Sequence, residues 1–127
     1  MTVGRVMVAA QQSGEEVLRA AIRSFGLDYR VIRNLKNLMA LPVGINKTSG
    51  LNAALDDLGL DPARVVSVGN GENDVCLAGA SGLCVAVANA VPEMKAKADW
   101  VTRRRGPDGV IEVIRRLLKT HAAKHGR

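Results

Sequence analysis

The sequence predicts an α/β fold, a parallel sheet flanked by helices, preceded by a smaller α+β unit. From about residue 44 onward, short β-branched runs alternate with helical patterns some ten residues long. That spacing suits parallel strands joined by helical crossovers and covered on both faces. Before residue 42 the order is strand, helix, strand, strand, which predicts a boundary between residues 1–41 and 42–127. With 47% apolar residues in 127, the chain can build a core, and a domain of this size buries roughly two-thirds of its unfolded surface.

The elements follow in order. VGRVMVAA (3–10) reads as one strand. Ser13 and Glu16 have capping-box spacing ahead of a helix whose apolar face is Val17, Leu18, Ala21, Ile22 and Phe25, with Gly26 as its stop. DYRVI (28–32) and LMALPV (38–43) are strands, with Asn34 and Asn37 bracketing a turn. A helix over 47–58 turns Leu51, Ala54, Leu55 and Leu58 inward and ends at Gly59. Strand VVSVG (65–69), helix 73–81 and strand LCVAV (83–87) come next. Pro92 opens a short helix ending near Ala98, and WVT (100–102) is a brief strand. Helix 107–120 closes the pattern with an apolar stripe of Val110, Ile111, Val113, Ile114, Leu117 and Leu118.

Charge and composition limit the function classes. Eighteen Lys and Arg against twelve Asp and Glu give +6, concentrated at Arg103–Arg105 and over residues 115–127. Cations near a helix C-terminus are explained by the helix dipole. Phe25, Tyr29 and Trp100 are the whole aromatic complement, which argues against a surface that stacks unpaired bases, and association with nucleic acid through the basic clusters is the least expected of the readings. Cys76 and Cys84 form no CxxC pair and read as small core residues in a reducing compartment. His121 and His125 are four apart, but no third ligand accompanies them. The N-terminus lacks a signal-peptide h-region and no apolar run reaches spanning length, so the expectation is a soluble cytoplasmic protein with no membrane partner.

Ligands of open α/β sheets bind beyond the carboxyl ends of the strands. Here those ends carry GNGEND (69–74) and the ANAVP loop (88–92). Glycines 69 and 71 permit close backbone approach, while Asn73 and Asp74 sit where a helix would start and are also natural caps. A dinucleotide loop is a poor match, because the third glycine of G-x-G-x-x-G is lacking. Glu15, Glu16 and Glu72 are accounted for as first-turn carboxylates.

GINKTSGL, VGNGENDVCL and VAVANAVPEMKAKADWVT followed by GPDGVIEVI, in this order, resemble the C-terminal part of haloacid dehalogenase superfamily phosphatases. The nearest subclass has an α/β cap between the second and third motifs, and the resemblance runs from about Val3 to Leu118. It implies that residues 1–41 are the end of the cap and residues 42–127 the second half of a Rossmann-like core. It further implies phosphate monoester hydrolysis through an aspartyl-phosphate, with Mg²⁺ as cofactor and a small phosphorylated metabolite as substrate. On that resemblance Lys47 stabilises the transferring phosphoryl charge, Asn70 and Asp74 hold the metal, and Asn46, Asn73 and Asn89 lie at the phosphate or substrate.

Two departures bear on activity. Asn70 stands where the family has an acid, and an amide oxygen is a poorer magnesium ligand than a carboxylate. The family's nucleophile lies in a D-x-D motif, but Asp28, Asp56, Asp57, Asp61, Asp74, Asp99 and Asp108 form none. The expectation is therefore a chain that is inactive alone or needs a further segment. The alternative is a non-catalytic, truncated module for binding or assembly. In either case a homo-oligomer or a partner chain is expected to cover the incomplete core.

Overall fold

A computed structural model describes residues 2–3 and 7–125, with side chains from Met7 onward. Residues Thr2–Val3 (β1), Val8–Gln11 (β2), Tyr29–Asn34 (β3) and Asn37–Pro42 (β4) form an antiparallel sheet in the order β1-β2-β4-β3. The single strand expected over 3–10 is corrected, because Val3 pairs back onto Val8 and Thr2 onto Ala9. Its residues 4–6 lie outside the described residues. Folding back gives β2 a partner on each side instead of an open edge.

Helix α1 (Glu15–Ser24) follows a 3₁₀ turn at Gln12–Gly14. The Ser13–Glu16 capping box does not form: Ser13 is inside that turn, and the cap position falls to Gly14, which has no side chain to offer. Glu15 instead pairs with Arg19 at 2.8 Å. The helix meets the sheet through Leu18, Ala21 and Ile22, while Val17 and Phe25 are 75% and 76% exposed and do not belong to the buried face. Gly26 ends the helix with φ +59°.

Strands β3 and β4 join through Leu35 and Lys36, and Leu35 holds a left-handed φ of 55°, which is uncommon for a residue with a branched side chain. Their register pairs Ile32 with Met39 and Arg30 with Leu41 on one face, and Val31 with Ala40 and Arg33 with Leu38 on the other. That alternation decides which residues overlook the second half of the molecule.

Helix α2 (Lys47–Leu58) begins with a full capping box between Asn46 and Ser49 and ends at left-handed Gly59. Leu55 is buried and Leu51 half-buried, but Ala54 is exposed and Leu58 is 69% exposed, so the inward face is narrower than expected. Strands β5 (Val66–Gly69), β6 (Leu83–Ala86) and β7 (Trp100–Val101) form the expected parallel sheet, in the order β5-β6-β7. Residues expected as helix 73–81 form a 3₁₀ helix at Glu72–Leu77. Its tightness follows from the Asp74 carboxylate, which gathers the N–H groups of Asn70 and Gly71 just ahead of it.

Helix α3 (Pro92–Lys97) supplies Met94, fully buried with Cys84, Ala86, Val87 and Ala90 around the central strand β6. A buried side chain of that size contributes about 1.5–3 kcal/mol. Helix α4 (Gly106–His125) runs five residues past its expected end. Of its apolar stripe only Val113 is buried, whereas Val110, Ile111, Ile114, Leu117 and Leu118 are 37–63% exposed. Three strands are too few to cover the stripe, and β5 is an open edge.

Candidate functional site

The site is built where β5 ends. A Cβ on Gly69 would stand 2.6 Å from the Asp74 Cβ and 2.9 Å from the Met94 Cε, so only glycine lets the chain fold back this tightly. The reversal brings the Asp74 carboxylate under its own loop. Its Oδ2 accepts from Asn70 N at 2.9 Å and Gly71 N at 3.1 Å, and its Oδ1 accepts from Lys47 Nζ. The Asp74 side chain is only 5% exposed. Burial pushes its carboxyl up, but the Lys47 hydrogen bond and the two backbone N–H groups outweigh this and hold it below the usual carboxylate value.

Lys47 comes from the first turn of α2, 27 residues earlier, and its side chain is 49% exposed. An ammonium has three donors. One goes to Asp74, and the exposure leaves the others to a ligand or water. Around the Lys47 side chain lies a cleft of about 160 Å³ between the two halves of the chain. Ile32, Met39 and Leu41 of the antiparallel sheet form its roof, Ile45 a wall, and Asn46, Lys47 and Asn73 its floor.

The two halves are tied at the tip of the β3–β4 hairpin by a group that sequence reasoning passed over. Glu72, expected as a plain first-turn carboxylate, accepts from Leu35 N at 2.8 Å, 37 residues away. Gln12 Nε2 donates to the Leu35 carbonyl at 2.9 Å. The left-handed Leu35 is thus held through both of its backbone polar groups. No local pattern signals this contact, because it depends on where the hairpin tip lands.

The remaining candidate residues have separate positions. The Asn46 side chain accepts from Ser49 N and is committed to capping α2. Asn73 Oδ1 is buried with no partner, and its Nδ2 stands 3.9 Å from the Met39 sulfur. Asn89 Oδ1 accepts from Gly106 N at 2.7 Å, which fastens the start of α4; Asn89 is not among the cleft residues. Asn70 is exposed and borders a second, mostly apolar groove of about 480 Å³ between β5 and α4.

Magnesium favours carboxylate oxygens in near-octahedral array. The donors that the resemblance places at the metal are the Asn70 amide and the Asp74 carboxylate, both of whose oxygens already accept hydrogen bonds, while the loop's other acid, Glu72, accepts from Leu35 N. Among the described residues no three His, Cys, Asp or Glu side chains converge. These residues do not by themselves fit a magnesium ion. His121 and His125, with ring centroids 4.3 Å apart, stand alone on α4. Cys76 and Cys84 are both free thiols. Of the basic cluster, Arg116 stacks over Trp100 at 4.4 Å, while the N–H groups of Arg103 and Arg104 bind the Glu112 carboxylate and lower its pKa.

A sequence profile of haloacid dehalogenase-like hydrolases matches residues 2–114. The chain belongs to this family. Over 103 residues it is 35% identical to a phosphoglycolate phosphatase of Methanothermobacter thermautotrophicus, covering 81% of the chain and 46% of that protein. It is 39% identical over 95 residues to the stress response protein YhaX of Bacillus subtilis, covering 74% and 33%. The crystal structure of a haloacid dehalogenase-like hydrolase from Bacteroides thetaiotaomicron superposes with a TM-score of 0.70 at 28% identity, covering 92% of this chain and 46% of that one. The chain therefore spans half or less of the length of these relatives. Phosphatases of the family typically use Mg²⁺. No helix among the described residues is long and apolar enough to cross a membrane.

Proposed function

We propose that this chain supplies the phosphate-stabilising part of a phosphomonoesterase that works through an aspartyl-phosphate. The observation that carries this reading is the Lys47 ammonium, fixed by buried Asp74 at the mouth of a cleft yet half open to it. A fixed cation beside a transferring phosphoryl group stabilises negative charge without reorganising at the moment of reaction. Asp74 acts as a positioning residue: it orients Lys47 and closes the loop through Asn70 N and Gly71 N. Residues 1–41 serve as cap and 42–127 as core on this account. The nucleophilic carboxylate comes from outside this chain, since no D-x-D occurs in it and covalent transfer requires a nucleophile. The same outside segment brings the acids that a magnesium ion needs, with Asn70 contributing at most an amide oxygen. A small cytoplasmic phosphorylated metabolite is the substrate class. Titration with inorganic phosphate, read at the amides of residues 69–74 with Lys47→Gln as control, tests the assignment.

A second reading is favoured by the open β5 edge and the exposed α4 stripe: a non-catalytic module that assembles with another copy or a partner chain. Parallel sheets are ordinarily covered on both faces, and apolar patches of this kind mark interfaces. Light scattering on the purified chain should then report a dimer or larger species; a stable monomer at tens of micromolar, on the order of cellular interface affinities, contradicts it.

A further inference from the structure

We propose that the β7 flank of α4 binds a linear oligophosphate, at an anion site separate from Lys47. The two flanks of α4 differ in character. Val68 of β5 and Val110 line the mostly apolar groove on one side. On the other, Arg104, Arg115, Arg116 and Lys119 line a groove of about 490 Å³, with Ile111 at the crest between the two. Arg116 identifies that side, because its guanidinium lies 4.4 Å from the ring centre of Trp100 on β7, at the edge of the sheet opposite β5. The basic groove is thus turned away from the open β5 edge, and it shares no residue with the Lys47 cleft.

The ordinary reasons for basic residues on a helix do not account for these four. Helix α4 runs to His125, so Arg115 and Arg116 stand more than two turns before its end and Lys119 more than one. The helix dipole favours cations only within the last turn. Arg104 precedes α4, at the end where the dipole disfavours a cation. Glu112 and Arg116 have the i,i+4 spacing of an ion pair. Yet both Glu112 oxygens accept from the N–H groups of Arg103 and Arg104, and Arg116 lies over Trp100. Asp108, the other acid of the groove, sits in the first turn of α4, where the dipole stabilises it. Among the described residues none of the four cations makes a salt bridge. Arg115 and Lys119, one turn apart, repel each other.

Three guanidiniums and an ammonium around one concavity suit an anion of high charge density. The planar fork of arginine matches phosphate oxygens two at a time. Arg116 is already held against Trp100, so it loses less rotamer freedom on binding. Linked phosphates carry their charges on adjacent groups, and one groove can meet several of them. The carboxylates of an extended acidic peptide alternate between opposite faces, so only every second one can reach the same groove. Unpaired nucleic acid lacks a stacking platform here, because Trp100 is covered by Arg116. The volume of the groove falls within the roughly 300–1,000 Å³ of small-ligand sites.

Trp100 is the sole tryptophan and lies under Arg116, so its fluorescence reads occupancy of this groove directly. Tripolyphosphate titrated into the chain at low salt should change that emission saturably, binding at least about tenfold more tightly than inorganic phosphate. Arg115→Gln combined with Lys119→Gln changes two exposed side chains and should weaken binding at least about tenfold with the fold intact. Lys47→Gln should leave it unchanged. Adenosine triphosphate separates the two sources of such a chain: tighter binding than tripolyphosphate assigns the nucleoside form, equal or weaker binding the free oligophosphate. Hexaglutamate or a short DNA duplex binding as tightly as tripolyphosphate overturns the assignment, since the groove would then take charge alone or nucleic acid. It is also overturned by equal affinity for tripolyphosphate and inorganic phosphate, by undiminished binding in the double variant, by loss of binding in Lys47→Gln, or by no saturable change at Trp100.

Discussion

Gly69→Ala should destabilise the chain by about 3 kcal/mol, the upper range for overpacking a filled site. The added methyl meets the Asp74 Cβ at 2.6 Å and the Met94 Cε at 2.9 Å. The first of these atoms is rigidly attached to the backbone, and the second belongs to a side chain with no exposed surface. Relief comes only by moving Asp74 out from under the loop, which unhooks the N–H groups of Asn70 and Gly71 and frees Lys47. Denaturant unfolding measures the stability loss, and amide spectra of residues 69–74 should report an opened loop. A variant that unfolds within a few tenths of a kcal/mol of the parent, with unmoved amides, contradicts the packing described.

Asp74→Asn tests the electrostatics of the same loop. The amide keeps the shape but removes the charge that binds Lys47 and strengthens two backbone hydrogen bonds. Because Lys47 is half exposed, the expected loss is about 2 kcal/mol rather than that of a fully buried pair. The pH dependence has a definite sign. The folded-state pKa of Asp74 is depressed below 3.8, so its contribution is fully present above that value. It is lost as pH falls through 3.8 and on through the lower folded-state value. The parent should thus lose stability more steeply than Asp74→Asn between about pH 5 and pH 3. Glu112 is also depressed, by the N–H groups of Arg104 and Arg103, but it is present in both proteins and cancels in the comparison. Parallel stability curves for the two proteins would show that the Asp74 charge does no stabilising work.

Elements defined by strong local signals were legible in the sequence. Gly59 and Gly26 end their helices in left-handed conformations, Pro92 opens α3, and the β-branched runs became the parallel strands. Signals that compete locally were not. Ser13 has capping-box spacing, yet a 3₁₀ turn consumed it, and the helix expected at 73–81 tightened to 3₁₀ because the Asp74 carboxylate captured the preceding amides. The α4 stripe has clear periodicity, but periodicity reports which residues share a face and not whether anything covers it.

The candidate site divides along the same line. The convergence of Lys47 and Asp74 could be anticipated, because GINKTSGL and GNGEND carry a recognisable order. The committed capping of Asn46 and the tether from Asn89 to Gly106 could not, since both residues are equally good ligands on paper. The roof of Ile32 and Met39, and the Glu72–Leu35 tie, depend on strand register and on a contact between distant segments, neither of which local spacing encodes.

Binding of inorganic phosphate at Lys47 tests the central claim most directly. Titrated into the uniformly labelled chain, phosphate should produce saturable shifts at Asn70–Asp74 and at Lys47, with a midpoint on the order of 1 mM, as befits a single half-exposed cation. Lys47→Gln should abolish the saturation while the fold persists. Shifts that remain linear to high phosphate, or that saturate equally in Lys47→Gln, would show that this loop is not a phosphate site.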